Sequence, residues 1–239
     1  MNFLIIIFLN LIIGLLSAEQ FVFKADYDVY WRGWYCGTMQ SELSHVDHHE
    51  YSYKQQIKST LFLFNFAEYQ ESRFFLKDNQ CIPHSYILSK EQSHAEKIDY
   101  KISFEDHLAR LEKIDINSQE KLEQIFEYLE PCYDRLVMQL QLIQNLRNHG
   151  IQDITLSCID YKGVQDYFYQ TETTDHDKVI LTSTHRNRIN TFVLDPQKGF
   201  FPIQFEQKKG VTPLIRGELK HVEFDEEWFM LWQKNINKK

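Results

Sequence analysis

A chain of 239 residues with 43% apolar and 15% aromatic side chains is long enough to bury one sizeable core and too hydrophobic to stay disordered. Its formal net charge is −8 and its lysines are scattered, so it lacks the basic footprint that nucleic acid demands. The chain shows no P-loop, Rossmann, Gly-x-Ser-x-Gly or His-Glu-x-x-His pattern, and its cysteines lack the close pairing of a zinc site. We therefore expect no metal, no cofactor and no motif-borne catalysis, although a triad scattered along the chain stays open.

The first eighteen residues, MNFLIIIFLNLIIGLLSA, are apolar from Phe3 to Leu16 except at Asn10 and Gly14. As a helix this run would span roughly 21 Å, short of the ~30 Å hydrocarbon core of a bilayer. Ser17-Ala18 then meets polar Glu19-Gln20, which reads as a signal peptide cleaved after Ala18. The segment has no Lys or Arg, so an uncleaved anchor is the alternative and the expected route to membrane association.

From Phe21 the chain alternates: Phe21, Phe23, Ala25, Tyr27, Val29 and Trp31 share one face, with Lys24, Asp26, Asp28 and Arg32 among the other. Gly33 breaks the run and WYCGTMQSELSHV alternates again, as in a hairpin. Strands are expected over 50–64, 67–77, 82–90, 95–104 and 107–114, then over 151–159, 164–172, 178–185, 188–194, 200–207 and 214–224, punctuated by turns such as KDNQ, DPQKG and QKKG. Two helical patterns interrupt them at about 118–149. Asn117 and Glu120 have capping-box spacing before the stripe Leu122, Ile125, Phe126 and Leu129. Tyr133, Leu136, Val137, Leu140, Ile143 and Leu146 form a second stripe, with Asp134 in its first turn, Arg147 and His149 in its last and Gly150 just beyond. The expected architecture is mainly β (β-rich α+β): a curved antiparallel sheet or partly open barrel over 19–225 as a single domain, one or two central helices packed on it, and a tail at 226–239. Leu140 and Ile143 are expected to wall the core or a ligand cavity.

The cysteines are Cys36, Cys81, Cys132 and Cys158. A helix of about 27 Å followed by a returning strand of about 25 Å brings Cys132 and Cys158 together as neighbours and a candidate disulfide.

Three segments resemble the bacterial envelope proteins grouped as domain of unknown function 3108: FKADYDVYWRGWYCGTMQSEL, YDRLVMQLQLIQNLRNHG and VLDPQKGFFPIQFEQKKG. Trp31, Gly33 and Gly37 match an aromatic-Gly then small-Gly pattern, and Asp134, Leu136, Leu146 and Arg147 match the central motif. Val137 stands where the family has Ser, and Phe192-Val193-Leu194 where it has Trp-x-Ala. The resemblance implies a periplasmic protein with no established enzymatic role.

Among polar clusters, HVDHHE (His45, Asp47, His48, His49, Glu50) reads as a solvated turn before a metal site, because adjacent histidines in an extended chain point to opposite faces. In STHRNR, Arg186 and Arg188 read as a charged hairpin turn, with anion binding as the alternative. Asp134-Arg135 reads as a cap and surface ion pair; functionally, Asp134 and Arg147 would fix the helix to the sheet or line a cavity mouth. The expected function is non-enzymatic: an exported protein that binds an apolar or amphiphilic, lipid-like envelope ligand or assists envelope assembly. The alternatives are a hydrolase of envelope material and a partner-binding protein without a small ligand.

Overall fold

The computed structural model describes residues 20–47, 49–59, 66–92, 97–115, 121–128, 131–174 and 177–227. The signal-peptide reading of residues 1–18 and the tail from residue 228 onward lie outside them, as does His48. No helix among the described residues is long and apolar enough to cross a membrane.

The first run comprises β1 (Gln20–Trp31), β2 (Trp34–Asp47), β3 (Glu50–Ser59), β4 (Phe66–Lys77), β5 (Gln80–Gln92), β6 (Ile98–Glu105), β7 (Leu108–Asp115) and β8 (Lys121–Glu127). Next come β9 (Cys132–Tyr133) and the helix α1 (Arg135–His149). The second run is β10 (Ile154–Asp160), β11 (Gly163–Thr173), β12 (Val179–His185), β13 (Arg188–Asp195), β14 (Phe201–Lys209) and β15 (Thr212–Phe224). The fifteen strands among the described residues form one curved sheet in the order β8-β7-β6-β5-β4-β3-β2-β1-β15-β14-β13-β12-β11-β10-β9. The two meanders are joined where β1 pairs with β15, and β9 alone runs parallel to its neighbour, β10. The sheet bends far enough that Phe126 of β8 lies 3.3 Å from where a Cβ on Gly163, at the start of β11, would sit.

Local chemistry sets the turns. Arg32-Gly33, Asp78-Asn79, Asp106-His107 and Arg186-Asn187 all have positive φ, the two-residue geometry whose twist matches that of the flanking strands. At Gly37 β2 bulges, and a Cβ there would lie 2.0 Å from the Lys58 carbonyl oxygen, so the close approach of β3 requires glycine. The concave face carries the core, including Phe23, Tyr27, Val29, Leu43, Tyr86 and Ile102.

Of the first helical pattern, in NSQEKLEQIFEYLEP, Asn117, Glu120 and Leu129 lie outside the described residues, and Lys121–Glu127 is a strand, not a helix. Residues 121–127 pair with β7 instead, from Leu108 opposite Glu127 to Ile114 opposite Lys121. Without this partner β7 would present a row of unpaired backbone groups, and so short a segment has little helical stability of its own. Tertiary pairing overrides the local stripe, leaving Leu122 and Ile125 exposed. Of the one or two helices expected, α1 is the one formed among the described residues.

Candidate functional site

The helix is anchored through its first residues. Asp134 is the N-cap: its Oδ1 accepts from the Leu136 and Val137 backbone N–H at 2.9 and 3.0 Å, and its Oδ2 accepts from the Ser72 hydroxyl of β4 at 2.6 Å. A cap that also bonds a strand ties the helix end to the sheet. Asp134 is fully buried, and burial lifts its carboxyl to about 6 although the Ser72 and backbone hydrogen bonds pull the other way. Arg135 does not pair with Asp134; its Nη2 lies 2.7 Å from Asp160 Oδ2, at the end of β10. Midway along the helix, Gln141 Oε1 accepts from the Cys81 backbone N–H at 2.8 Å. At its far end Gly150 N–H donates to the Leu146 carbonyl at 2.9 Å, and Arg147 is buried beside Gln144, where burial lowers its guanidinium pKa.

Between the helix and the concave sheet lies a cavity of ≈540 Å³. Arg135, Met138 and Gln139 of α1 contribute to its lining. Apolar walls come from Tyr27, Met39, Ile57, Phe192, Phe205 and Ile215, on β1, β2, β3, β13, β14 and β15. The polar groups are ordered among themselves: Gln55 donates to Gln139 Oε1 at 3.2 Å and to the Tyr53 hydroxyl at 2.9 Å, and the Tyr27 hydroxyl donates to the Pro202 carbonyl at 2.9 Å. Toward the β12–β13 turn the lining becomes basic, with His185, Arg186 and Arg188. The His185 ring lies 5.4 Å from that of Tyr167, and its Nε2 is buried without a hydrogen-bond partner. Such a chamber, apolar on most sides with a few polar groups gathered on one, has the size and character of a small-molecule site.

Of the residues expected to bind a ligand, Trp31, Gly33, Gly37, Asp134, Leu136, Leu140, Ile143 and Arg147, none lines this cavity. Trp31 and Gly33 stand at the β1–β2 tip, and Gly37 serves the bulge. Asp134 and Arg147 are buried on the helix, the first fixing it to β4. Leu136 is fully buried, while Leu140 and Ile143 are packed into the core beside voids of only ≈20 Å³. Leu140 and Ile143 thus pack in the core and not on this chamber. The reason is that nearly the whole helix circumference is buried, so Arg135, Met138 and Gln139 are left for the chamber. The signal for these was their offset from the stripe by one position. Arg186 and Arg188 do form a hairpin turn, and that turn also lines the cavity.

Cys132 and Cys158 are neighbours but not bonded; all four cysteines are free and buried. In the β9–β10 pair Cys132 lies opposite Ser157, and Tyr133 opposite Cys158. The two cysteines are therefore one register apart, and the strand pleat turns their side chains to opposite faces. Burial pushes the Cys81 and Cys132 thiols up to about 12, leaving them protonated and unreactive at neutral pH. Among the described residues no group of three His, Cys, Asp or Glu side chains could hold a metal ion.

No family model and no curated protein matches the chain. Among solved structures it is similar to a β-barrel-like protein of domain of unknown function 1849 from Brucella abortus, with a TM-score of 0.55. The two are 11% identical, and the match covers 87% of this chain and 100% of that one. At that identity the likeness establishes a shared β-barrel-like fold and nothing finer.

Proposed function

We propose that this is an exported, periplasmic protein of the kind grouped as domain of unknown function 3108, whose sheet and helix hold one amphiphilic molecule without transforming it. The observation that supports the reading is the ≈540 Å³ cavity, with aromatic and aliphatic walls and a basic side at His185, Arg186 and Arg188. An acyl or ring-like body would replace water against Tyr27, Met39, Phe192 and Phe205. An acidic or hydrogen-bonding head would meet the arginines and the unpartnered His185 Nε2. A hydrolase of envelope material is less well supported, because the histidine on this wall contacts a tyrosine ring and its Nε2 has no carboxylate partner.

Native mass spectrometry of the purified protein tests the reading. A single co-purifying amphiphile is expected, and Ile57→Trp, which fills the chamber from its wall, should remove it while the protein stays folded. An empty wild-type protein that also takes up no fluorescent fatty acid, or an Ile57→Trp variant that binds the probe as well as wild type, would overturn it.

A further inference from the structure

Among the described residues, four hairpin turns lie at the end of the sheet toward which the basic side of the cavity faces: β1–β2, β10–β11, β12–β13 and β14–β15. Backbone bonds hold neighbours together, Arg32 N–H donating to the Leu214 carbonyl at 3.2 Å and Gly210 N–H to the Asn187 carbonyl at 3.1 Å. This ring is aromatic and apolar, with Trp34 75%, Tyr35 51% and Val211 94% exposed. Trp31 is in register with both Trp34 and the cavity-lining Ile215, so the two indoles stand on the lip of the chamber.

The same ring is cationic. The turns and their flanking residues carry Arg32, Lys162, Arg186, Arg188 and Lys209. Their one carboxylate, Asp160, is buried and held by Arg135, and Glu206 on the adjacent wall is held by Lys208 at 2.8 Å. Cations lie over aromatic rings here, Arg32 on Trp31 at 4.7 Å, Lys162 on Tyr161 at 5.1 Å and Arg216 on Tyr30 at 4.9 Å. The opposite end of the sheet is acidic, with Asp47, Asp78, Glu105, Asp106, Glu127 and Asp225 at its turns and strand ends, against fewer cations such as Lys77 and Lys178. Among the described residues this sorting puts positive charge at the four turns of the aromatic ring, while on the other half of the same end Glu68, Glu91, Asp99 and Glu123 offset Lys58, Lys90 and Lys97.

We propose that this end docks onto the surface of an anionic phospholipid bilayer. Trp31, Trp34, Tyr35 and Val211 would enter the headgroup layer, and the arginines and lysines around them would meet lipid phosphates. Amphipathic indole and phenol rings prefer that interface, and clustered cations are drawn to its negative potential. The acidic end is repelled by the same surface, which orients the molecule with its chamber opening toward the lipid. The contact is peripheral, made by hairpin tips, and so differs from an anchor formed by residues 1–18. It does not depend on the chamber being occupied.

The test uses the chain from Glu19 onward, which contains every described strand and the helix, with phosphatidylcholine vesicles prepared with and without phosphatidylglycerol. Co-sedimentation is expected only with the anionic vesicles and should fall as salt rises. Arg186→Ser/Arg188→Ser should weaken binding about fivefold for each cation removed, and Trp34→Ala/Val211→Ser roughly tenfold. Glu127→Gln/Glu226→Gln at the other end should not weaken it. Brominated lipids should quench indole fluorescence in the parent protein and much less in Trp31→Phe/Trp34→Phe. Unchanged melting temperatures in the tip variants would tie lost binding to the surface itself. No binding to anionic vesicles, equal binding to neutral ones, or full binding by folded tip variants would overturn the proposal.

Discussion

Two faces of α1 treat the concave sheet in opposite ways. On one, Leu136, Val137, Leu142 and Leu146 are buried, with the cap bonded to β4 and Gln141 bonded to the β5 backbone. On another, the same helix contributes Arg135, Met138 and Gln139 to the chamber, whose lip carries exposed tryptophans and cations. One amphipathic element therefore closes a core on one side and lines a chamber on the other. Stability is concentrated where the helix is packed, and the walls of the chamber remain unfilled.

The sharpest way to break this contrast is to truncate a side chain on each side. Leu136→Ala, at a fully buried site, should cost about 2 to 5 kcal/mol in chemical denaturation. Ile57→Ala, on the chamber wall, should cost less than about 1.5 kcal/mol, because that side chain already borders empty space. Equal costs would mean that both sides are packed alike.

The cap supplies a pH test of comparable size. Asp134 holds its proton to about pH 6 in the folded chain against an ordinary 3.8, so the native state binds more protons than the unfolded state between those values. Its contribution to stability is fully present below about pH 4 and is lost as pH rises through about 6, roughly 3 kcal/mol in all. Asp134→Asn keeps an oxygen for the helix N–H groups and an amide for Ser72, and should flatten that part of the stability profile. A variant profile as steep as wild type would assign the titration to another group.

The smallest effect on folding belongs to the open lip. Arg186→Ser or Arg188→Ser should change stability by no more than about 0.5 kcal/mol, since both side chains are solvent-exposed. A thermal melt checks this, and a drop of several degrees would show that the ring is structural. Their removal should instead lower the affinity for an acidic amphiphile, read by fluorescence titration.

Much of the sheet was legible because period-two alternation reports a strand that is half in and half out of a core. The runs beginning at Phe21, Trp34, Ile151, Arg188 and Phe200 each became a strand with bounds close to those expected. The helix at 135–149 was legible for a similar reason: its cap, its stripe and Gly150 all act within a few residues. The segment at 121–127 was misread because Leu122, Ile125 and Phe126 fit a helical stripe locally, while the need of β7 for a partner is not a local property. Cys132 and Cys158 came together as chain lengths implied, but the pleat that separates their side chains depends on a parallel register no spacing reveals.

By itself, then, the sequence determined which residues seek burial, where the chain turns and where one helix is capped, because hydrophobic period, turn chemistry and capping act over short stretches. Tertiary structure alone decided that Asp134 bonds Ser72, that Arg135 bonds Asp160, and that Met138 faces a chamber while Leu140 faces the core. It also gathered Trp34, Arg186 and Lys209 onto one lip, from hairpins far apart in the chain. Those outcomes follow from how far the sheet curves before its edges approach each other, a sum of twists and bulges over fifteen strands that no single stretch of residues records.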